Sequence, residues 1–143
     1  MDAYDEVREL AAGGSGRAIV VSPKSGGQKG LLAIKQIACG RDVASANKAL
    51  FEATTLCTLR HPHVVRFHKV FLETPPGADC SVCIVMEFCA AGDLGQHLVE
   101  MRRRDSLLAI LQPKREQDKM LKWMGQLADA LEYIHCSGII HRV

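Results

Sequence analysis

Leu10-Ala11-Ala12-Gly13-Gly14-Ser15-Gly16, Lys35 and Glu52 are the residues whose types and spacing could do chemistry in this 143-residue chain. A glycine-rich turn lets backbone amides approach an anion closely, because no side chain stands in the way. A lysine adds a compact positive charge, and a carboxylate can hold that charge in place. Such a set suits a ligand carrying phosphate. The residues after the glycines, Arg17-Ala18-Ile19-Val20-Val21, read as a strand. A dinucleotide-binding fold needs a helix start there, with its amides and dipole on the pyrophosphate. A P-loop needs a Gly-Lys-Ser/Thr ending, which is also missing. Two readings stay open: a hairpin whose glycine tip folds over a ligand, and a plain surface turn.

The elements that must position these residues follow from periodicity. Residues 22–30 form a polar, glycine-rich loop, and 31–37 read as a strand whose period of two puts Ala33, Lys35 and Ile37 on one face. Leu32, Ile34 and Gln36 take the other. Residues 42–60 read as a helix with Ala49, Glu52, Ala53, Leu56 and Leu59 on one stripe, so Glu52 is expected on the buried face. A carboxylate taken out of water is costly unless a cation meets it, and Lys35, seventeen residues earlier, is the candidate. The alternative leaves Glu52 at the stripe's edge, reaching solvent. Strands are expected at 64–71 and 81–87, with Thr74-Pro75-Pro76-Gly77 as the turn between them. From Leu94 the pattern turns helical, over 94–104 and again over 115–135. The longer helix carries Met120, Met124, Leu127, Leu131 and Ile134 as a stripe, and Gly138 suits its C-terminal cap.

Composition excludes several classes. A net charge of +2 makes no electrostatic case for nucleic acid, and Arg102-Arg103-Arg104 reads as a solvated helix face. No run approaches the roughly 18 apolar residues of a membrane span, and the start Met1-Asp2-Ala3-Tyr4-Asp5-Glu6 is acidic where a signal peptide is basic. A cytoplasmic or otherwise intracellular protein is expected. Among six cysteines, Cys80 and Cys83 have a metal-site gap, but no second such pair exists, and i, i+3 residues on a strand point to opposite faces. Reduced structural thiols are the expectation. His61, His63 and His68 have no carboxylate or cysteine at ligand spacing and read as packing and capping groups.

Taken in order, the glycine loop, strand lysine, helix glutamate, paired strands, acidic exit segment, long helix and His141-Arg142 resemble the protein kinase domain. Leu32-Ala33-Ile34-Lys35 looks like the family's Val-Ala-Ile-Lys strand, and Ile139-Ile140-His141-Arg142 matches the approach to its catalytic loop. Met86-Glu87-Phe88-Cys89 with Gly92-Asp93-Leu94 is similar to the hinge and ribose-contacting exit. Leu59-Arg60-His61-Pro62-His63-Val64-Val65 looks most like serine/threonine kinases, the NIMA-related group among them.

The resemblance implies an α+β fold. Residues 1–88 would be the small lobe, a five-stranded antiparallel sheet plus one helix, and 89–143 the hinge and an incomplete large lobe. It implies ATP as ligand and a protein as phosphoryl acceptor, with no nucleic-acid or membrane partner. Lys35 and Glu52 would be the catalytic pair, Lys35 on the α- and β-phosphates and Glu52 holding it. Ala11, Gly13 and Gly16 would form the glycine loop, although Ala11 replaces its first glycine and Ser15 a common aromatic. The Glu87 carbonyl and Cys89 amide would face adenine, Met86 would close the back, Ala18, Ala33 and Leu94 would sandwich the ring, and Asp93 would accept from the ribose.

Val143 stands where the catalytic aspartate belongs, and the family's asparagine and Asp-Phe-Gly ligands for Mg2+ are missing, so these 143 residues alone are expected to be inactive. Two accounts fit: an N-terminal fragment of an active serine/threonine kinase, and a pseudokinase serving as a nucleotide-binding or scaffold module. A valine codon opens with GT, as most introns do, which suits reading through an exon boundary. Without later large-lobe helices the stripe from Met120 to Ile134 would stay exposed, and self-association through it is expected.

Overall fold

The computed structural model describes residues 2–13, 16–24, 30–40, 42–74, 77, 79–103 and 113–141. Met1–Arg60 with Val64–Phe88 form one compact unit, and His61–His63 with Cys89–Val143 a second.

In the first unit, β1 (Tyr4–Gly13), β2 (Gly16–Pro23), β3 (Leu32–Gly40), β4 (Phe67–Glu73) and β5 (Cys80–Glu87) make one antiparallel sheet in the order β1-β2-β3-β5-β4. The α+β class and the five antiparallel strands are those expected. β4 begins later than the apolar run predicts, at Phe67 instead of residue 64. Its ladder starts where the Glu87 amide donates to the Arg66 carbonyl, 2.9 Å away, and β5 ends there, so no strand residue remains opposite Val64 and Val65. The predicted turn at 74–77 and the loop at 22–30 lie largely outside the described residues.

The sheet has a core on each face, as period-two alternation requires. One face collects Tyr4, Ile19, Val21, Leu32, Ile34, Cys83 and Val85, with Phe71 packed against them. Among the described residues, no helix of this unit covers it. Instead the sheet curls: the Tyr4 ring on β1 stacks on Phe71 of β4 with centroids 6.4 Å apart. These are the two edge strands, which in a flat sheet would stand about 19 Å apart at four interstrand spacings. Register shifts in β1 between Glu6 and Arg8 and between Glu9 and Ala11 supply local twist of the kind that curling needs. Lys69 lies over both rings, 4.8 Å from Tyr4 and 5.8 Å from Phe71, and closes the seam.

The opposite face receives α1 (Val43–Thr58) on Cys39, Val82 and Ile84. Ala49 and Ala53 are the helix residues fully against the sheet, and their small side chains let the backbones come close. Asp42 caps the helix, accepting from the Ala44 and Ser45 amides at 3.0 Å each and from the Ser45 hydroxyl at 2.6 Å. At the other end the Arg60 guanidinium donates to the carbonyls of Cys57 and Leu59 at 2.9 and 2.8 Å, meeting the negative end of the helix dipole.

The second unit contains α2 (Leu94–Arg103) and α3 (Pro113–Cys136). Asp93 caps α2, its Oδ1 accepting from the Gln96 amide at 2.7 Å while the Gln96 side chain accepts from the Asp93 amide at 3.4 Å. α3 ends in a Schellman cap: Gly138 takes φ +73°, its amide donates to His135, and the Ile139 amide donates to Ile134. Gly138 thus fills the capping place expected of it. Of the predicted stripe, Ile134 is buried, Met120 and Leu131 are half-buried, and Met124 and Leu127 are exposed together with Leu121. Among the described residues, no helix is long and apolar enough to cross a membrane.

The Ser45 hydroxyl and then the two amides hold the Asp42 carboxyl below its ordinary value of 3.8. Its folded value is therefore the lower one, and the cap's contribution is complete above the unfolded value and lost as pH falls through the folded one. Asp42→Ala should lower the urea midpoint at pH 7, and the gap from the parent chain should narrow below about pH 4. A gap independent of pH would show that the charge does not matter.

Candidate functional site

The face under α1 also carries the candidate site. β3 lies between β2 and β5, so Lys35 has Ala18 as one cross-strand neighbour and Ile84 as the other, and Ala33 has Val20 and Met86. Paired residues share a face. Ala18, Ala33, Lys35 and Met86 therefore point the same way, as the period predicts, and border a cavity of about 370 Å³ together with Leu10, Ala11, Ala12, Gly16, Arg17 and Ile34. That size lies within the range of small-molecule sites. Two alanines make the room: a branched side chain at either position would fill the space between the strands.

The Lys35 ammonium donates to Glu52 Oε1 at 2.8 Å, joining β3 to α1. The spacing argument pointed to this pair, but its premise of a buried carboxylate needs correcting. Glu52 sits at the edge of the α1 stripe and its side chain is 48% exposed, against 31% for Lys35. Water screens such a pair, and an ion pair at this exposure contributes about 0–1 kcal/mol to stability. Fold stability therefore does not account for it. Its consequence is geometric: it holds one ammonium group at an otherwise largely apolar cavity.

The strand ends beside the glycine turn border the cavity as well. β1 and β2 pair, across two register shifts, as far as Gly13 facing Gly16, and Gly14 and Ser15 lie outside the described residues. Gly16 has φ +115°, and a β-carbon there would run into the Gln36 carbonyl oxygen of β3. Only glycine fits. Ala11 borders the cavity on the shared face, and the register shift beside Leu10 brings Leu10 and Ala12 to its rim as well. Sequence reasoning missed Leu10, Ala12, Arg17 and Ile34; for Leu10 and Ala12 the reason is that alternation alone does not reveal a bulge.

The other predicted residues are placed as follows. Glu87 ends β5, and its carboxylate accepts from the Arg66 amide at 3.2 Å, which leaves its carbonyl out of that contact. Cys89, Asp93 and Leu94 belong to the second unit, where one oxygen of Asp93 is committed to capping α2. His61 and His63, read as lacking a carboxylate neighbour, meet Asp129 of α3: His61 Nε2 lies 3.2 Å and His63 Nε2 3.8 Å from its Oδ2. His61 also stacks on Tyr133 at 4.9 Å. They pack, as expected, against a partner too distant in sequence to be foreseen. Burial, reinforced by the Glu73 carboxylate, pushes the Cys83 thiol up to about 11, so Cys83 stays a neutral core group. Among the described residues, no group of three or more His, Cys, Asp or Glu is placed to hold a metal ion.

Residues 6–143 match the family model for protein tyrosine and serine/threonine kinases. The chain is 31% identical over 144 residues to the probable serine/threonine-protein kinase nek3 of Dictyostelium discoideum, which covers 99% of this chain and 12% of that protein. It is 30% identical to mouse serine/threonine-protein kinase Nek3, with 99% and 24% covered, and 29% identical to mouse Nek11, with 94% and 20% covered. It thus spans less than a quarter of the length of these relatives.

Gly16→Ala should lower unfolding stability by on the order of 1–3 kcal/mol, since it combines a forbidden φ with a backbone clash. Urea denaturation checks this, and a neutral result would mean the hairpin does not approach β3 as closely as described.

Proposed function

The chain belongs to the protein tyrosine and serine/threonine kinase family, and from that premise we propose that its first unit holds ATP as the nucleotide-binding part of a serine/threonine protein kinase. The observation that carries the reading is the Lys35 ammonium, fixed by Glu52 at an otherwise largely apolar cavity that Gly16 and the end of β1 border. Ala18 and Ala33 leave room for a flat heteroaromatic ring, and Met86 limits its depth. Lys35 neutralises phosphate oxygens, and Glu52 keeps the ammonium extended toward them. Glycines at 13 and 16 let the hairpin amides approach the phosphates without side-chain interference.

Bound ATP would supply the phosphoryl group, and this chain's residues bind and orient it. None of these roles passes through a metal ion, and among the described residues no group of three or more His, Cys, Asp or Glu is placed to hold one. We propose that these 143 residues, taken alone, bind nucleotide without transferring phosphate, because a valine side chain at 143 cannot accept a hydroxyl proton.

ATP at about one hundred times its dissociation constant should stabilise the purified chain by about 2.7 kcal/mol, seen as a rise in melting temperature that excess ADP competes away. No nucleotide-dependent shift at millimolar ATP would refute the binding reading. Phosphate transfer to a protein acceptor would refute the claim of binding without chemistry.

A further inference from the structure

Arg17, which also borders the cavity, shares its strand face with Ile19 and Val21 and donates through Nε to Glu9 Oε2 at 2.6 Å and through its two terminal nitrogens to both oxygens of Glu6, one of these at 3.3 Å. The register explains how one side chain reaches both. Glu9 faces Ile19 and Glu6 faces Val21, so both carboxylates lie on the face that Arg17 shares with those residues, one and two positions along the ladder. The two shifts in β1 fall after Glu6 and after Glu9. Each shift adds a residue to β1 and interrupts the regular ladder, and the second falls beside Leu10, Ala11 and Ala12, which border the cavity. Arg17 ties the strand across the first bulge and just ahead of the second. Without it, Glu6 and Glu9 would be two carboxylates on one face of an edge strand with no cation between them, which is unfavourable by like-charge repulsion.

We propose that Arg17 is a positioning residue: by clamping Glu6 and Glu9 it fixes the course of β1 and so where Leu10, Ala11, Ala12 and Gly16 stand at the border of the cavity. This rests on the nucleotide-binding reading above and adds a device to it. With alanine at 11 and 12 the hairpin has less backbone freedom of its own, and its position depends on what anchors its two strands. The clamp's side chains are exposed, Arg17 at 39%, so it is expected to matter more for placement than for global stability.

The test has a nucleotide arm and a nucleotide-free arm. Arg17→Gln should weaken ATP binding about fivefold, the scale of one ion pair, while adenosine binding and melting temperature stay near parent values. Glu6→Gln with Glu9→Gln should do the same, the effects should not add, Arg17→Lys should recover part of the loss, and 1 M salt should reproduce it. In the apo protein, amides of 8–20 should exchange faster in Arg17→Gln than in the parent, and those of 81–87 should not change. If the parent chain binds no ATP, the nucleotide reading fails and the exchange arm still decides whether the clamp holds the hairpin.

The proposal is overturned by unchanged exchange in Arg17→Gln. It is also overturned if ATP and adenosine affinity fall together with melting temperature, which is a structural role. A loss in Arg17→Gln that the double glutamine variant does not share would overturn it too, since that is a direct contact of Arg17 with phosphate.

Discussion

The ion pair between Lys35 and Glu52 is the constraint around which the first unit is arranged. A lysine in the middle strands of a sheet must either reach solvent or find an anion, and here it does half of each. To meet it, α1 has to cross β3 at a depth and rotation that put Glu52, and no other helix residue, within 2.8 Å. Asp42 sets where the helix begins, and Ala49 and Ala53 set how closely it lies. These features serve the fold as well, yet the pair itself is too exposed to contribute much to stability. A contact that stabilises little and places a charge at a cavity is better explained by the ligand than by the fold.

The cavity depends equally on what happens across the sheet. Five strands rolled until Tyr4 meets Phe71 bury a second core, and the face carrying Ala18, Ala33 and Lys35 is the opposite one, which borders the cavity. Small residues leave the space, bulges in β1 turn Leu10 to Ala12 toward it, and Gly16 allows the hairpin to touch Gln36. The cavity therefore depends on small residues and on the irregular register of β1.

Much of this was legible in the sequence because it rests on local periodicity. The faces of β3, the α1 stripe, the Gly138 end of the long helix and the pairing of Lys35 with Glu52 all follow from periods of 2 and 3.6 and from capping chemistry. What escaped depends on contacts distant in sequence. Glu52 was placed too deep because a stripe gives the face of a helix but not its depth. The extra strand residues at 64–66 failed because strand length is set by the partner, and β5 ends at Glu87. Asp129 lies more than sixty residues from His61 and His63, and no spacing rule connects them. Arg17 had a faint signal, two glutamates three apart on the preceding strand, that only the bulged register makes meaningful.

A double-mutant cycle on Lys35 and Glu52, read both as unfolding free energy and as ATP affinity, tests the central claim most directly. Lys35→Met should weaken ATP binding by at least about tenfold, the worth of one charge-assisted hydrogen bond. Glu52→Gln should weaken it less, and the double variant should bind no worse than Lys35→Met, while the coupling energy in stability stays below about 1 kcal/mol. A stability coupling of several kcal/mol with ATP affinity unchanged would make the pair a structural tie and contradict the account.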